Sequence, residues 1–305
     1  MNTVYFPGLG LEFVLNRVAF NLFGKDIYWY GIIIAFGFLL AAVYCYRVAA
    51  PRFGFDPEEL LNLMIFAVPL SVIGARAYYV IFYPDLYRDA AGVFRWDWAV
   101  AIWDGGLAIY GAVIVGVLTG VVFCAVRRRS FWCLADTCCF GLLIGQIIGR
   151  WGNFMNVEAY GSVTAVPWRM SAESIAAELL AKGEVTAEGA QQIIEGALGV
   201  HPTFLYESLW NLLGLILLIL LARRGRSFDG ALFLGYVFWY GAGRAVIEGL
   251  RTDSLYFFST GLRVSQVVGI LSALAAAILF VIRLRTAAAP TPPLAGKTER
   301  DTDKA

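Results

Sequence analysis

Apolar residues come in long runs along this chain, separated by short polar punctuation. Seven runs approach the roughly 20 residues that a helix needs to cross a bilayer core of about 30 Å. They are residues 30–50, 60–83, 98–126, 131–148, 204–222, 231–250 and 264–284. The pattern predicts an all-α polytopic membrane protein with about seven transmembrane helices. Residues 1–28 are also apolar, but Pro7, Gly8, Gly10, Arg17 and Lys25 break them up. That segment is expected to lie at the membrane interface, with a helix near 11–23, rather than to span. The transmembrane domain then covers 29–285 and carries one long insertion, 162–202. Within the insertion, 171–198 is rich in Ala, Glu and Leu and interrupted at Gly183, which predicts two short surface helices. Residues 286–305, TAAAPTPPLAGKTERDTDKA, read as a disordered tail. No internal repeat is visible.

Charge orients the predicted helices. Arg47 and Arg52 follow the first run, Arg127–Arg129 the third, Arg223, Arg224 and Arg226 the fifth, and Arg283 and Arg285 the seventh. All fall on one side, which the positive-inside rule makes cytoplasmic. The N-terminus is then outside, the C-terminus cytoplasmic, and the insertion a small extracytoplasmic cap. Trp29, Trp96, Trp98 and Trp103 fit an aromatic belt at the outer interface.

Composition supports the membrane reading and narrows the partners. Hydrophobic residues make up 59% of the 305 positions against 15% charged, and the mean hydropathy is +0.68. A net charge of +1 argues against a nucleic-acid partner. The start of the chain lacks the basic, apolar and cleavage regions of a secretory signal, so insertion through an uncleaved first helix is expected. Five cysteines, Cys45, Cys124, Cys133, Cys138 and Cys139, have no paired spacing and read as small apolar packing residues. No phosphate loop, nucleophile elbow or metal-ligand spacing occurs, and no metal is expected.

Against this apolar background the polar residues stand out. The stretch GRWGNFMNVEAYG, 149–161, sets Arg150, Asn153, Asn156 and Glu158 at the end of the fourth run. At 1.5 Å per residue, Arg76 is expected roughly 24 Å and Arg244 roughly 20 Å across from the inside, with Asp104 and Tyr110 roughly 9 and 18 Å inward along the third run. Tyr30 opens the first run from outside. Arginine inside a membrane costs about 2.5–3.5 kcal/mol on insertion scales, so these residues need partners. Arg244, Glu248 and Arg251 follow i, i+4, i+7 spacing and share one helix face. Glu248 can neutralise one arginine as a structural pair. With Arg150 and Arg76 added, cations outnumber nearby acids, which suits an anionic lipid headgroup gripped bidentately. Gly105, Gly106 and Gly111 permit close helix packing or close approach of a ligand. His201, the single histidine, precedes Pro202 and reads as a cap or orienting residue for the fifth run, with Tyr206 and Glu207 just inside it.

These motifs, taken in order, resemble the bacterial prolipoprotein diacylglyceryl transferase family over about residues 25–285. GRWGNFMNVEAYG is similar to that family's GRxGNFxNxExxG block. WDGGLAIYGA at 103–112, HPTFLYE at 201–207 and the GxxRxxxExxR pattern at 241–251 also match in order and spacing. The resemblance implies transfer of the diacylglyceryl group of phosphatidylglycerol to the lipobox cysteine thiol of a prolipoprotein signal peptide, forming a thioether and releasing glycerol phosphate. It implies a bacterial inner-membrane enzyme, working toward the outer leaflet without a cofactor. It assigns headgroup binding to Arg150, an essential cationic role to Arg244, and headgroup contacts to Tyr30, Asn153, Asn156, Glu158 and Gly161. Arg76, Glu248 and Arg251 complete the expected binding set. Tyr110 stands where many family members have histidine, and is expected to hydrogen-bond the headgroup or the thiol. The alternative reading is an anion or lipid transporter or flippase whose pathway the buried arginines line. The absence of repeat symmetry speaks against it.

Overall fold

A computed structural model describes residues 2–251 and 263–294. The chain opens with hairpins, not with a helix. β1 (Asn2–Phe6) pairs antiparallel with β2 (Leu11–Leu15), and β3 (Val18–Leu22) with β4 (Lys25–Tyr28). The turn Phe23-Gly24 has φ of 50° and 78°, the left-handed pair that suits the twist of a tight hairpin. The expected interfacial helix over 11–23 is therefore corrected to strand. Leu11, Phe13 and Leu15, then Val18, Phe20 and Leu22, repeat at period two, which is the strand repeat.

α1 (Trp29–Tyr44) continues through a π-turn at Cys45–Ala49 into α2 (Ala50–Phe53). Pro51 has no N–H to close an α-helical bond to Arg47, and the helix widens just before it. α3 (Pro57–Phe82) starts earlier than expected, because Asp56 Oδ1 accepts from the Glu58 N–H at 2.9 Å and Pro57 fills the first turn. The third apolar run is not one helix. It divides into α4 (Trp96–Val100) and α5 (Ile109–Arg127), with Gly105 and Gly106 at φ of +86° and +70° between them. Tyr110 therefore sits in the first turn of α5, and Asp104 precedes that helix, so neither lies inward along a continuous span. The side chain of Asp104 is outside the described residues.

α6 (Phe131–Asn156) runs on through Arg150, correcting the expected end at residue 148. Arg150, Asn153 and Asn156 recur every three residues on this helix. The intervening Phe154 is buried and stacks on Phe204 with ring centroids 4.7 Å apart, so apolar packing carries the helix past the polar residues. The insertion follows as β5 (Val163–Thr164), α7 (Glu173–Ala181), α8 (Ala187–Ile194) and β6 (Gly199–Val200), with β5 and β6 paired antiparallel. The two expected short helices are present and part at Gly183, φ +72°. The chain ends in α9 (Thr203–Arg224), α10 (Ala231–Ile247), a 3-10 turn at Glu248–Leu250, and α11 (Val264–Thr286).

Among the described residues, six helices are long and apolar enough to cross a membrane: Trp29–Phe53, Pro57–Phe82, Ile109–Arg127, Phe131–Asn156, Thr203–Arg224 and Val264–Thr286. The seventh expected span, α10, has 17 residues, about 26 Å at 1.5 Å per residue. The mostly helical chain is a multi-pass membrane protein.

The chain forms two compact units, one of Met1–Tyr44 and Cys138–Pro290, the other of Cys45–Thr137 and Thr291–Ala305. In the first, Val4, Phe6, Phe154, Met170, Ile175, Leu179, Ile193, Val200 and Phe204 share one apolar core, which fastens the insertion and β1 to the ends of α6 and α9. Trp210 and Trp239 stack at 4.3 Å between α9 and α10, and each indole N–H donates to the other's carbonyl at 3.0 and 2.9 Å. In the second unit, α3 and α5 meet at Gly74 and Gly111, where a side chain on either would strike the other's backbone. That contact fits the packing role open to Gly111. Residues 287–294 are irregular, and the Leu294 N–H donates to the Pro51 carbonyl at 2.9 Å. Residues 295–305 of the expected disordered tail lie outside the described residues. No disulfide joins the five cysteines among the described residues, and Cys45, Cys124, Cys133 and Cys139 are buried.

Candidate active site

Three helices of the first unit bring their polar ends together. α6 supplies Arg150, α9 supplies Glu207, and α10 with its 3-10 extension supplies Arg244, Glu248 and Arg251. Glu207 is the hub. Its Oε2 pairs with Arg150 Nη2, and its Oε1 lies 2.8 Å from Arg244 Nη1 and 3.9 Å from Arg251 Nη1. Glu248 Oε2 takes Arg244 Nη2 at 2.5 Å and Arg251 Nε at 4.0 Å. The i, i+4, i+7 face read from the sequence is thus real, and it closes on an acid from another helix. The two carboxylates are almost completely buried. The three guanidinium groups keep 14–20% of their side-chain surface. Among the described residues, three guanidinium groups meet two buried carboxylates in this cluster.

Such a network is fragile by design of its chemistry. Removing one member of a buried ion pair costs about 3–5 kcal/mol, because the partner charge is stranded. Glu207 was legible as an acid inside an apolar run, which is a functional signal in itself. Its place just inside the fifth apolar run is visible in the sequence, but its contact with three arginines from other segments is not.

The rest of the 149–161 block positions this cluster. Arg150 Nη1 lies 3.4 Å from Asn153 Oδ1, and Asn153 Nδ2 donates to Glu158 Oε1 at 2.9 Å. α6 ends with Val157 at φ 54° and Ala159 at φ 56°, both in the left-handed region that ordinarily favours glycine. The Glu158 N–H closes back on the Asn153 carbonyl at 3.0 Å, a six-to-one bond of the Schellman type. Held this way, the chain brings Gly161 against Arg251 as a bridge partner and donates its N–H to the His201 carbonyl at 2.9 Å. A Cβ on Gly161 would lie 2.7 Å from the Cβ of His201, so only glycine fits this close approach. The Asn156 carbonyl accepts from Arg17 Nη2 at 2.6 Å. The Tyr30 ring lies over Gly152, where an added Cβ would be 2.8 Å from it.

His201 lies just before α9, which starts at Thr203 with Pro202 at its cap rather than in its first turn. Trp168 Nε1 donates to the Tyr206 hydroxyl at 2.6 Å, and that hydroxyl is 3.1 Å from His201 Nδ1. Indole is a donor only, so the phenol proton is free to go to Nδ1, which leaves the imidazole proton on Nε2. Burial pushes the His201 pKa below its ordinary value, so the ring is neutral near pH 7. Trp168 gives no signal in the sequence, since a lone tryptophan in a loop carries no spacing pattern.

Arg76 and Tyr110 belong to the second unit. Arg76 is buried and spends its guanidinium on backbone: Nε on the Ala99 carbonyl at 2.8 Å, Nη2 on Trp98 at 2.6 Å, and Nη1 on Gly105 at 2.5 Å and Gly106 at 3.1 Å. It also lies 5.0 Å over the Tyr87 ring. Four of the five N–H donors of Arg76 thus go to backbone carbonyls, and the side chain clamps the glycine loop. Tyr110 is 43% exposed, and its ring is 6.4 Å from that of Tyr78.

Comparison with known proteins finds similarity along most of the chain. The family model described as prolipoprotein diacylglyceryl transferase matches residues 17–282. A phosphatidylglycerol–prolipoprotein diacylglyceryl transferase of Oceanobacillus iheyensis is 43% identical over 272 residues, 89% of either chain. One from Listeria monocytogenes is 44% identical over 257 residues, covering 84% of this chain and 86% of its own. One from Bacillus velezensis is 42% identical over 269 residues, 88% of this chain and 92% of its own. With similarity running through nearly all of both partners and through each helix that builds the arginine cluster, the chain belongs to the prolipoprotein diacylglyceryl transferase family.

Proposed function

We propose that the Arg150–Glu207–Arg244–Glu248–Arg251 cluster holds the phosphate of phosphatidylglycerol while its diacylglyceryl group passes to the lipobox cysteine of a prolipoprotein. The chain is a transferase of this class. The observation that carries the site assignment is the convergence of three partly exposed arginines on two buried carboxylates where α6, α9 and α10 meet. A phosphodiester offers such guanidinium groups anionic oxygens to grip.

The chemistry follows from the charge. The cysteine sulfur attacks the glyceryl carbon that bears the phosphate ester. A C–S bond forms as the C–O bond breaks, and the electron pair leaves on the phosphate oxygen. The departing glycerol phosphate carries more negative charge than the lipid did. Arginines aimed at it stabilise the transition state more than the ground state. The same positive field favours thiolate over thiol, whose ordinary pKa is about 8.5. The thiol proton balances the charge gained by the leaving phosphate. The displacement changes no oxidation state and calls for no redox cofactor. Arg150 and Arg244 are assigned to the phosphate. Glu207 and Glu248 fix their geometry, and Asn153, Glu158 and Gly161 hold the approach of the block.

The same reading makes α10 the seventh span, places the protein in the bacterial inner membrane and turns the cluster toward the outer leaflet. The test is transfer from phosphatidylglycerol to a lipobox peptide by the purified protein. Arg150→Ala should lose about 10²–10³-fold in turnover, the usual effect of removing one donor to a developing anion, while the variant still purifies as a folded monodisperse species. Full turnover by Arg150→Ala would remove the phosphate from this cluster.

A further inference from the structure

Beside the arginine cluster, the first unit holds a groove of about 700 Å³ where hairpin β3–β4 meets the start of α1. Arg17, Asp26, Tyr30 and Asn156 line its polar head, and Ile32 and Ala35 line its apolar floor. The two ends differ in a way that matches an amphiphile. Ile32 and Ala35 are three residues apart on α1, so they share a face of a helix apolar enough to span a membrane.

Three observations point to the occupant. Arg17 is exposed and uses one donor on the Asn156 carbonyl at 2.6 Å; a guanidinium has five. Asp26, the acid in the groove, instead accepts from Asn21 Nδ2 at 3.0 Å, and no ion pair joins it to Arg17 among the described residues. The hairpin that supplies Asp26, Ile27 and Tyr28 to the groove is itself apolar and open: Phe20, Leu22 and Phe23 are 51%, 47% and 98% exposed. A phenylalanine that open on a hairpin leading into a membrane helix belongs in lipid rather than in water.

We propose that this groove docks an anionic phospholipid, with its phosphate on Arg17 and an acyl chain along the Ile32–Ala35 face, as the station from which donor phosphatidylglycerol reaches the cluster. Tyr30 and Asn156 belong both to the groove and to the elements around Arg150, so the two places adjoin. The lipid's destination rests on the phosphate reading of the cluster; the binding itself does not.

The test uses the full chain in nanodiscs with a diazirine-bearing phosphatidylglycerol, followed by mapping of the labelled peptide. Wild type and Arg150→Ala should both label within residues 26–35, and Arg17→Glu should lose the label. Unlabelled phosphatidylglycerol should compete and phosphatidylethanolamine should not. In transfer assays, Arg17→Glu should raise the apparent KM for phosphatidylglycerol about tenfold with kcat kept within about twofold, and Arg17→Lys should stay near wild type. Labelling unchanged in Arg17→Glu overturns the proposal, as does equal competition by phosphatidylethanolamine. Competition by cardiolipin alone overturns the donor station, since the groove would then hold a structural lipid. A fall in kcat at constant KM, shared by Arg17→Lys, would leave Arg17 only a brace for the end of α6. If Arg150→Ala kept full turnover while labelling still required Arg17, the cluster reading would fail and the groove would stand.

Discussion

Single residues explain both the strength and the sensitivity of the site. Glu207 touches arginines from two other segments, so its carboxylate sets where Arg150, Arg244 and Arg251 can stand. His201 acts differently, through its place at the entry to α9 and its link to Tyr206. Its folded-state pKa lies below the ordinary value of 6.5 because burial penalises the imidazolium. The unfolded chain therefore binds the proton more readily, and stability rises with pH through that window. The contribution is complete above about pH 6.5 and is lost as pH falls through the depressed value. The unfolding midpoint of the wild type should drop on acidification from pH 7 to pH 5, and His201→Gln should flatten that part of the drop. Thermal unfolding in one detergent at both pH values checks this, and an equal drop in the variant would assign the acid sensitivity elsewhere. The sequence showed the i, i+4, i+7 set and the Arg150 block because their spacing is local. Glu207 joined to them only through space, and no single-chain spacing reveals a contact between residues 150, 207 and 244.

At the scale of elements, apolarity located the spans but not their breaks. The run 98–126 is apolar throughout and was expected to be one helix, yet Gly105 holds φ +86° and ψ −153°. That region is essentially reserved for glycine, and it directs the carbonyls of Gly105 and Gly106 at Arg76. The clamp and the turn depend on each other: Arg76 needs those carbonyls to be buried at all, and the loop needs a fixed donor to keep its backbone satisfied. The hairpins at the start were missed for the opposite reason. Their period-two alternation was present, but overall apolarity beside a membrane span favoured an interfacial helix. Gly105→Ala should cost about 1–3 kcal/mol from backbone strain alone, and it should do so without touching the arginine cluster's residues. Unfolding midpoints of Gly105→Ala and the nearby Leu107→Ala, whose side chain is 49% exposed, separate strain from general sensitivity of the loop. A larger loss in Leu107→Ala would mean that packing, not the glycine conformation, maintains the turn.

At the scale of the molecule, the polar chemistry of the first unit and its basic topology signals occupy opposite ends of the same helices. In the first unit, the cluster joins the C-terminal end of α6, the N-terminal end of α9 and the C-terminal end of α10. The far end of α9 carries Arg223 and Arg224, and the turn after it holds an Arg226–Asp229 ion pair at 2.7 Å. Arg283, near the end of α11, donates to the Asp229 carbonyl at 3.0 Å, so Arg223, Arg224, Arg226 and Arg283 gather at one end. Positive charge of this kind stays cytoplasmic. On the function proposed above, the cluster and the insertion between α6 and α9 face outward, toward the acceptor cysteine. Single cysteines at two exposed positions test this arrangement: Glu184→Cys in the insertion and Arg224→Cys at the end of α9. Four of the five native cysteines are buried, so the unmodified chain supplies a low background. In intact cells a membrane-impermeant maleimide should label Glu184→Cys, and it should reach Arg224→Cys only after permeabilisation. The reverse pattern would turn the arginine cluster to the cytoplasm and separate it from an acceptor thiol on the outer surface, whatever the activity of the purified protein.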